Sequence, residues 1–185
     1  MKRNIVIATL TAAALATGGT VAAFASGNNE ATATQRPANT GARITAAEAI
    51  AAALKHTPGT AVSADLDDGA DAWEVSVVKG DGSEDEVRIA PDSGKVLGAQ
   101  RDTDDDHDAD DRAELAAVKG AHTDAREAAL AAAAKGTVTE VGLDDERGTV
   151  AWTADTVKDG KHSEWKVALD SGKVTQNRDD DGDDA

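Results

Sequence analysis

The 185-residue sequence has no cysteine, no tyrosine, one phenylalanine and three prolines. The missing thiols exclude disulfide bonds and thiolate-bound metal centres, so an exported form of this chain must be held together by packing alone. Basic residues are also scarce, since 19 Lys and Arg stand against 35 Asp and Glu, for a net charge of −16. A chain of this charge repels nucleic acids and anionic lipids, and neither is an expected partner.

The one long apolar run lies at the N-terminus. In residues 1–25, Lys2 and Arg3 precede this run, and small residues before position 26 favour cleavage between Ala25 and Ser26, as in a secretory signal peptide. The alternative is an uncleaved membrane anchor, although Thr, Gly and Ser dilute the stretch. Cleavage would leave 17 of the 19 basic residues against 35 acidic ones. We therefore expect a secreted or cell-envelope protein without stable membrane insertion after cleavage.

A pentapeptide occurs twice in the chain. Asp-Ser-Gly-Lys-Val at 92–96 recurs at 170–174, and Trp73 and Trp152 are separated by a nearly identical distance. Asp and Ser offer side-chain acceptors and Gly accepts a positive φ, so each copy predicts a tight turn before a strand. Repetition of several features at one spacing indicates an internal duplication.

Each copy begins with helix signals and continues with strand signals. Thr45 and Glu48 form a capping box ahead of an amphipathic pattern, and the alanine-rich stretch 125–134 predicts the second helix. Apolar and polar residues alternate in 73–77 and 86–89, as in strands with one buried face. The sequence thus predicts an α+β fold of two tandem small domains, each with one helix packed on a three- to four-stranded antiparallel sheet.

The duplication and the charge pattern predict the domain boundaries. Seven of the ten residues at 102–111 are Asp, which predicts a solvated linker, with a short extra helix after it at 113–118. The predicted order is a signal peptide (1–25), a disordered spacer (26–43), domain 1 (44–101), the acidic linker (102–111), domain 2 (112–178) and an acidic tail (179–185).

The repeated pattern resembles the PepSY domain. The resemblance rests on a helix opening Thr-Ala-Ala-Glu-Ala, a strand ending Leu-Asp-Asp, a Trp-centred strand and the closing Asp-Ser-Gly-Lys-Val, at 44–101 and more weakly at 122–178. It implies one helix against an antiparallel sheet in each copy, with Trp73 and Trp152 in the core. It also implies no catalytic residues, and a role like that of peptidase propeptides, which inhibit thermolysin-type metallopeptidases. Because this chain contains no peptidase domain, such inhibition would act in trans.

Calcium binding is the one candidate for site chemistry. Asn177, Asp179, Asp181 and Asp183, with Gly182 among them, match the first half of an EF-hand loop. The bidentate Glu expected at position 12 of such a loop is missing, so any binding through these residues would be weak. No catalytic site and no cofactor are expected, because the Ser residues of the turns lack the strand–elbow–helix context of a hydrolase.

These observations lead to two functional hypotheses. The first is a secreted, non-enzymatic and monomeric PepSY protein that binds another protein, either an extracellular metallopeptidase or another secreted protein. The alternative is an acidic envelope-associated protein that binds divalent cations weakly through its Asp runs.

Overall fold

The computed structural model describes residues 41–102, 109–146 and 148–177, and both copies have the predicted order of a helix followed by four strands. The signal peptide, the cleavage position Ala25–Ser26 and the acidic tail lie outside these residues. The elements are α1 (Ala46–His56), β1 (Thr60–Leu66), β2 (Trp73–Val78), β3 (Glu84–Ile89), β4 (Val96–Arg101), α2 (Ala109–Lys119), α3 (Ala125–Ala132), β5 (Thr137–Glu146), β6 (Thr149–Lys158), β7 (Lys161–Val167) and β8 (Val174–Gln176).

All eight strands form one antiparallel sheet, in the order β4-β3-β2-β1-β5-β6-β7-β8. The expectation of two separate sheets of three or four strands is therefore wrong. The two copies join where β1 pairs with β5, through Ala64 opposite Val141 and Asp65 opposite Glu140. This pairing satisfies the backbone groups that β1 and β5 would otherwise expose as sheet edges.

The two copies are related by an approximate twofold axis. Leu66 opens the Leu-Asp-Asp segment of the first copy and Leu143 that of the second, so Ala64 and Val141 are equivalent positions. Because these two residues also pair with each other, the axis passes through their pair. The copies thus meet as the subunits of a symmetric dimer do, each offering the same surface to the other.

The helices α1 and α3 cover one face of the sheet and contact each other across the axis. Trp73 and Trp152 are fully buried beneath them, which confirms that both belong to the core. The indole Nε1 of Trp152 donates to the carbonyl oxygen of Thr123 at 2.9 Å. The corresponding Nε1 of Trp73 is buried without an acceptor among the described residues. Both tryptophans belong to one continuous apolar cluster that includes residues of both helices.

The repeated pentapeptide forms the same turn in both copies. Gly94 and Gly172 have φ values of 71° and 63°, in the left-handed region that favours glycine. The residue before each pentapeptide then accepts hydrogen bonds from the two residues that precede the helix N-cap: Pro91 O accepts from the N–H groups at 43 and 44, and Leu169 O from those at 122 and 123. Each turn therefore ties the end of its meander to the beginning of its helix.

We expect Gly94→Ala to reduce the free energy of unfolding by about 1 kcal/mol, because alanine disfavours positive φ. Space is not the cause, since a Cβ at this position would meet only Ile44, at 3.9 Å. The measurement is the urea midpoint of the full chain. Gly98→Ala is the control, because Gly98 lacks a positive φ and a Cβ there meets nothing within 4 Å. Equal losses in the two variants would contradict the assignment.

Two elements are longer than the sequence predicts. The apolar pattern predicts that the last strand of the first copy ends at Leu97, but β4 continues to Arg101, because every residue from Gly98 onward pairs with β3. The helix α2 begins at Ala109, inside the segment predicted to be a linker, and continues past the expected 113–118. In β4, pairing with β3 extends the strand beyond its apolar residues.

Candidate functional site: the open face and free edge of the sheet

The face of the sheet turned away from α1 and α3, here called the open face, carries polar side chains. On β2, Val75 and Val77 are fully buried toward the helices, whereas Glu74 and Ser76 are only partly buried. This alternation is the ordinary consequence of the two-residue period of a strand. The helix α2 contacts β5, and its Val118 joins the apolar cluster of the covered face.

Five carboxylates lie side by side across the open face, one on each of five neighbouring strands. The register places Glu74 opposite Asp65, Asp65 opposite Glu140, Glu140 opposite Asp155, and Asp155 opposite Glu164. We call these five residues the acidic row. Like charges directly opposite each other destabilise a sheet, so the row is costly for the fold.

Each end of the acidic row has a partner that is not an acid. At one end, Arg88 Nε lies 3.3 Å from Glu74 Oε1. At the other end, Asn177 Nδ2 donates to Glu164 Oε1 at 2.5 Å, and Asn177 N donates to Glu164 O at 3.0 Å. Asn177, predicted from the sequence as a calcium ligand, is thus placed by the fold beside the row.

Asp65 and Glu140 lie opposite each other where β1 pairs with β5. The hydrogen bond from Asp67 N to Ala72 O at 3.1 Å sets the alternation between β1 and β2, so the backbone groups of Asp65 point toward β2. Asp65 and Glu140 therefore form a non-hydrogen-bonded pair, the kind in which opposite side chains come nearest. This pair lies at the junction of the two copies.

The crowding changes the acidity of this pair. Burial raises the pKa of Asp65 to about 6, and the charges of Glu74, Asp68 and Asp155 contribute to the rise. Desolvation by the neighbouring strands raises the pKa of Glu140 to about 7, with further contributions from Asp65 and Asp155. The side chain of Glu140 is solvent-exposed, so water screens part of the repulsion that Asp65 and Asp155 exert on it.

The strand β4 forms one free edge of the sheet. Its Leu97 is 55% exposed, one of two large apolar side chains at the surface of the described residues. The hydrogen bond from Asp102 N to Glu84 O at 2.9 Å, together with the register beyond the irregularity at Leu97, indicates that Gly98 and Gln100 point their backbone groups toward β3. By alternation, the N–H and C=O groups of Ala99 and Arg101 point outward.

The remaining sequence-based candidates stay predictions. Asp179, Asp181 and Asp183, proposed with Asn177 as calcium ligands, lie outside the described residues, as do Ala25 and Ser26. Within 41–102, 109–146 and 148–177, no group of three His, Cys, Asp or Glu is arranged to hold a metal ion. Across the same ranges, no helix has the length and apolar character needed to cross a membrane.

The acidic row was not predicted from the sequence. Each of its members occupies a polar position of a strand, which sequence alternation does indicate. Which polar positions become neighbours depends on the register between strands, and on the pairing of β1 with β5 in particular. Sequence alternation carries no information about that pairing.

Comparison with known proteins identifies the family. The model of the family described as "Peptidase propeptide and YPEB domain" (PepSY) matches residues 43–100 and 121–176, more than half of the chain. No curated protein matches the chain. Among solved structures, that of a candidate lipoprotein from Clostridium difficile 630 is similar at 20% identity and a TM-score of 0.38, over 66% of this chain and 83% of that chain. The two family matches coincide with the two copies of helix and four strands, and the chain belongs to the PepSY family as a tandem of two PepSY domains.

Proposed function

We propose that this protein is an exported, non-enzymatic binding module that captures an extracellular peptidase along the free edge of its sheet. The single observation that carries the proposal is the tandem PepSY architecture, because the family is described by its occurrence in peptidase propeptides. The N-terminal segment with the composition of a signal peptide supports export of the product.

The free edge supplies a way to bind. An extended segment of a partner can add to β4 as a ninth strand, using the outward backbone groups of Ala99 and Arg101 as hydrogen-bonding partners. Exposed Leu97 offers an apolar contact beside that strand. The opposite edge, β8, has only three residues, from Val174 to Gln176, and is a shorter template. We therefore propose β4 as the docking edge.

A binding role fits the chemistry better than an enzymatic role does. The acidic row lies on an open sheet face, whereas a general acid works in an enclosed site. We propose a monomer, because the surface that would form a symmetric dimer is already used between the two copies. The net charge of −16 favours association with a partner of positive potential.

Inhibition of a thermolysin-type metallopeptidase by the mature chain, residues 26–185, tests the proposal. We expect slowed substrate hydrolysis at micromolar concentrations of the protein, the range of about −8 kcal/mol in binding free energy. Unchanged hydrolysis, together with no binding in a titration followed by calorimetry, would refute peptidase capture.

Ala99→Pro tests the docking edge. Proline removes the outward N–H of Ala99 without removing a hydrogen bond to β3, so we expect about tenfold or greater weakening of peptidase binding at nearly unchanged stability. Ala99→Val is the matched control, because it keeps the N–H and suits a strand. If both variants bind as tightly as the natural chain, the partner does not add to β4.

The cation-binding alternative, weak binding of divalent cations through the Asp runs, remains a proposal. Calorimetry with calcium distinguishes it from peptidase capture: stoichiometric uptake that is abolished by deleting residues 102–111 and 179–185 would favour the cation role. Asn177 belongs to the described residues, and its amide nitrogen holds Glu164.

A further inference from the structure

We propose that the β1–β5 junction, here called the joint, is sensitive to pH. The strand pairing that connects the two PepSY domains is stable when Asp65 or Glu140 carries a proton, and it opens locally when both are ionised. The pH dependence of the joint follows from the pairing between the two copies and is independent of any partner bound at β4.

The junction is short, and one of its two residue pairs consists of two carboxylates. Only two residue pairs define its register, Ala64 with Val141 and Asp65 with Glu140. One of these pairs is apolar and buried on the helix side, and the other is the pair of carboxylates on the open face. Half of the paired positions in the junction are therefore electrostatically unfavourable when both acids are charged. Packing of α1 against α3 on the other side keeps the domains associated.

The groups around this pair are mainly acidic. Asp65 faces Glu74 from β2 and Glu140 from β5, and Asp67 and Asp68 follow it in the chain. Glu140 also faces Asp155 from β6, and Glu164 lies one strand farther on β7.

In the register of the sheet, no described basic residue pairs directly with Asp65 or Glu140. Arg88 on β3 is engaged by Glu74 at the outer end of the row. On β7, His162 pairs with Val157 and Lys166 pairs with Thr153, in rows beside the acidic one. The helix α2 contacts β5 from the covered side, and its described charged side chains are Glu114 and Lys119.

The direction of the pH effect follows from the raised pKa values of the two carboxyl groups. Asp65 has a pKa of about 6 in the folded protein against 3.8 ordinarily, and Glu140 has a pKa of about 7 against 4.5. The folded state therefore holds more protons than the unfolded state between about pH 4 and pH 7, and the stability from these groups falls as the pH rises through that window. At the acidic end of this window, the protonated carboxyl group of Glu140 can also donate a hydrogen bond to Asp155.

Hydrogen exchange of the full chain at pH 5 and pH 8 tests the joint. After correction for intrinsic exchange, we expect the protection factors of amides in β1 and β5 near the junction to be about tenfold lower at pH 8 than at pH 5. This size corresponds to pKa shifts of one or more units in Asp65 and Glu140, reduced by solvent screening. Amides in the centres of β2 and β6 should change less. In a carboxyl NMR titration, the midpoint of Glu140 should lie above that of an ordinary glutamate. Uniform loss of protection throughout the sheet, or a midpoint of an ordinary glutamate, would overturn the proposal.

Variants separate this pair from the general charge of the protein. Asp65→Asn with Glu140→Gln should remove the junction-specific loss of protection and leave the junction as protected at pH 8 as at pH 5. Asp144→Asn is the matched control, because Asp144 lies on the same strand and pairs with Ala151 rather than with an acid. It should retain the loss seen in the natural chain. If the control abolishes the loss as completely as the double variant, net charge is responsible and the joint is refuted.

Discussion

Trp152→Ala is expected to lower the free energy of unfolding by about 3–5 kcal/mol, the loss typical of a buried tryptophan replaced by alanine. The indole is fully buried, and its Nε1 donates to Thr123 O at 2.9 Å. Truncation would leave both a cavity and a buried carbonyl without its donor. Domains have net stabilities of only about 5–15 kcal/mol, so the variant would retain a small part of the original stability.

The number of unfolding transitions is as informative as the midpoint. Because the sheet is continuous through β1 and β5, we expect thermal unfolding of the Trp152→Ala variant to remain a single transition, shifted to lower temperature. Trp165→Ala is the control, since Trp165 is half-buried and should cost less. Two transitions, one of them at the natural position, would show that the copies unfold independently.

The first copy alone, residues 26–102, is expected not to form a stable monomer. Ala49, Ile50 and Ala53 of α1 are fully buried in the complete chain, where α1 packs against α3, and β1 is covered by β5. Removing the second copy exposes both surfaces in a domain of a size at which stability is already marginal. We expect a residual free energy of unfolding of about 0–2 kcal/mol, or association of two copies through β1.

Analytical ultracentrifugation and thermal unfolding followed by circular dichroism measure this outcome. The matched control is the complete chain cut at a protease site introduced at 103–108, in which both copies remain available to each other. We expect the cut chain to stay associated and to keep most of its melting temperature. A monomeric first copy with the melting temperature of the complete chain would contradict the shared core.

Local signals in the sequence were sufficient to identify the elements. The capping box at Thr45 and Glu48 is formed in the structure, with Glu48 Oε2 accepting from Thr45 N at 2.8 Å. The two glycines of the repeated pentapeptide adopt the positive φ that the turn requires. These features depend on residues within a few positions of one another, which is why the sequence alone predicts them.

The fusion of the two sheets and the acidic row depend on contacts between distant residues. Asp65 and Glu140 are separated by more than half of the described chain, and neither position is unusual as a polar residue of a strand. The sequence pattern of β1 would have been equally compatible with β1 as an edge strand of a separate sheet. The calcium prediction rests on a local pattern alone. The spacing of Asn and Asp residues suggests metal ligands, but it does not show which of their oxygen atoms lie close together in the fold.

The amino-acid sequence by itself determined the duplication, the helix-and-meander order of each copy, the buried tryptophans and the PepSY family. Only the tertiary structure decided that the copies share one sheet, that an approximate twofold axis passes through Ala64 and Val141, and that five carboxylates become neighbours. The physical reason is that turns, caps and strand alternation are set by nearby residues. Pairing between strands is set by the burial of whole surfaces, which many registers could satisfy until the complete chain selects one.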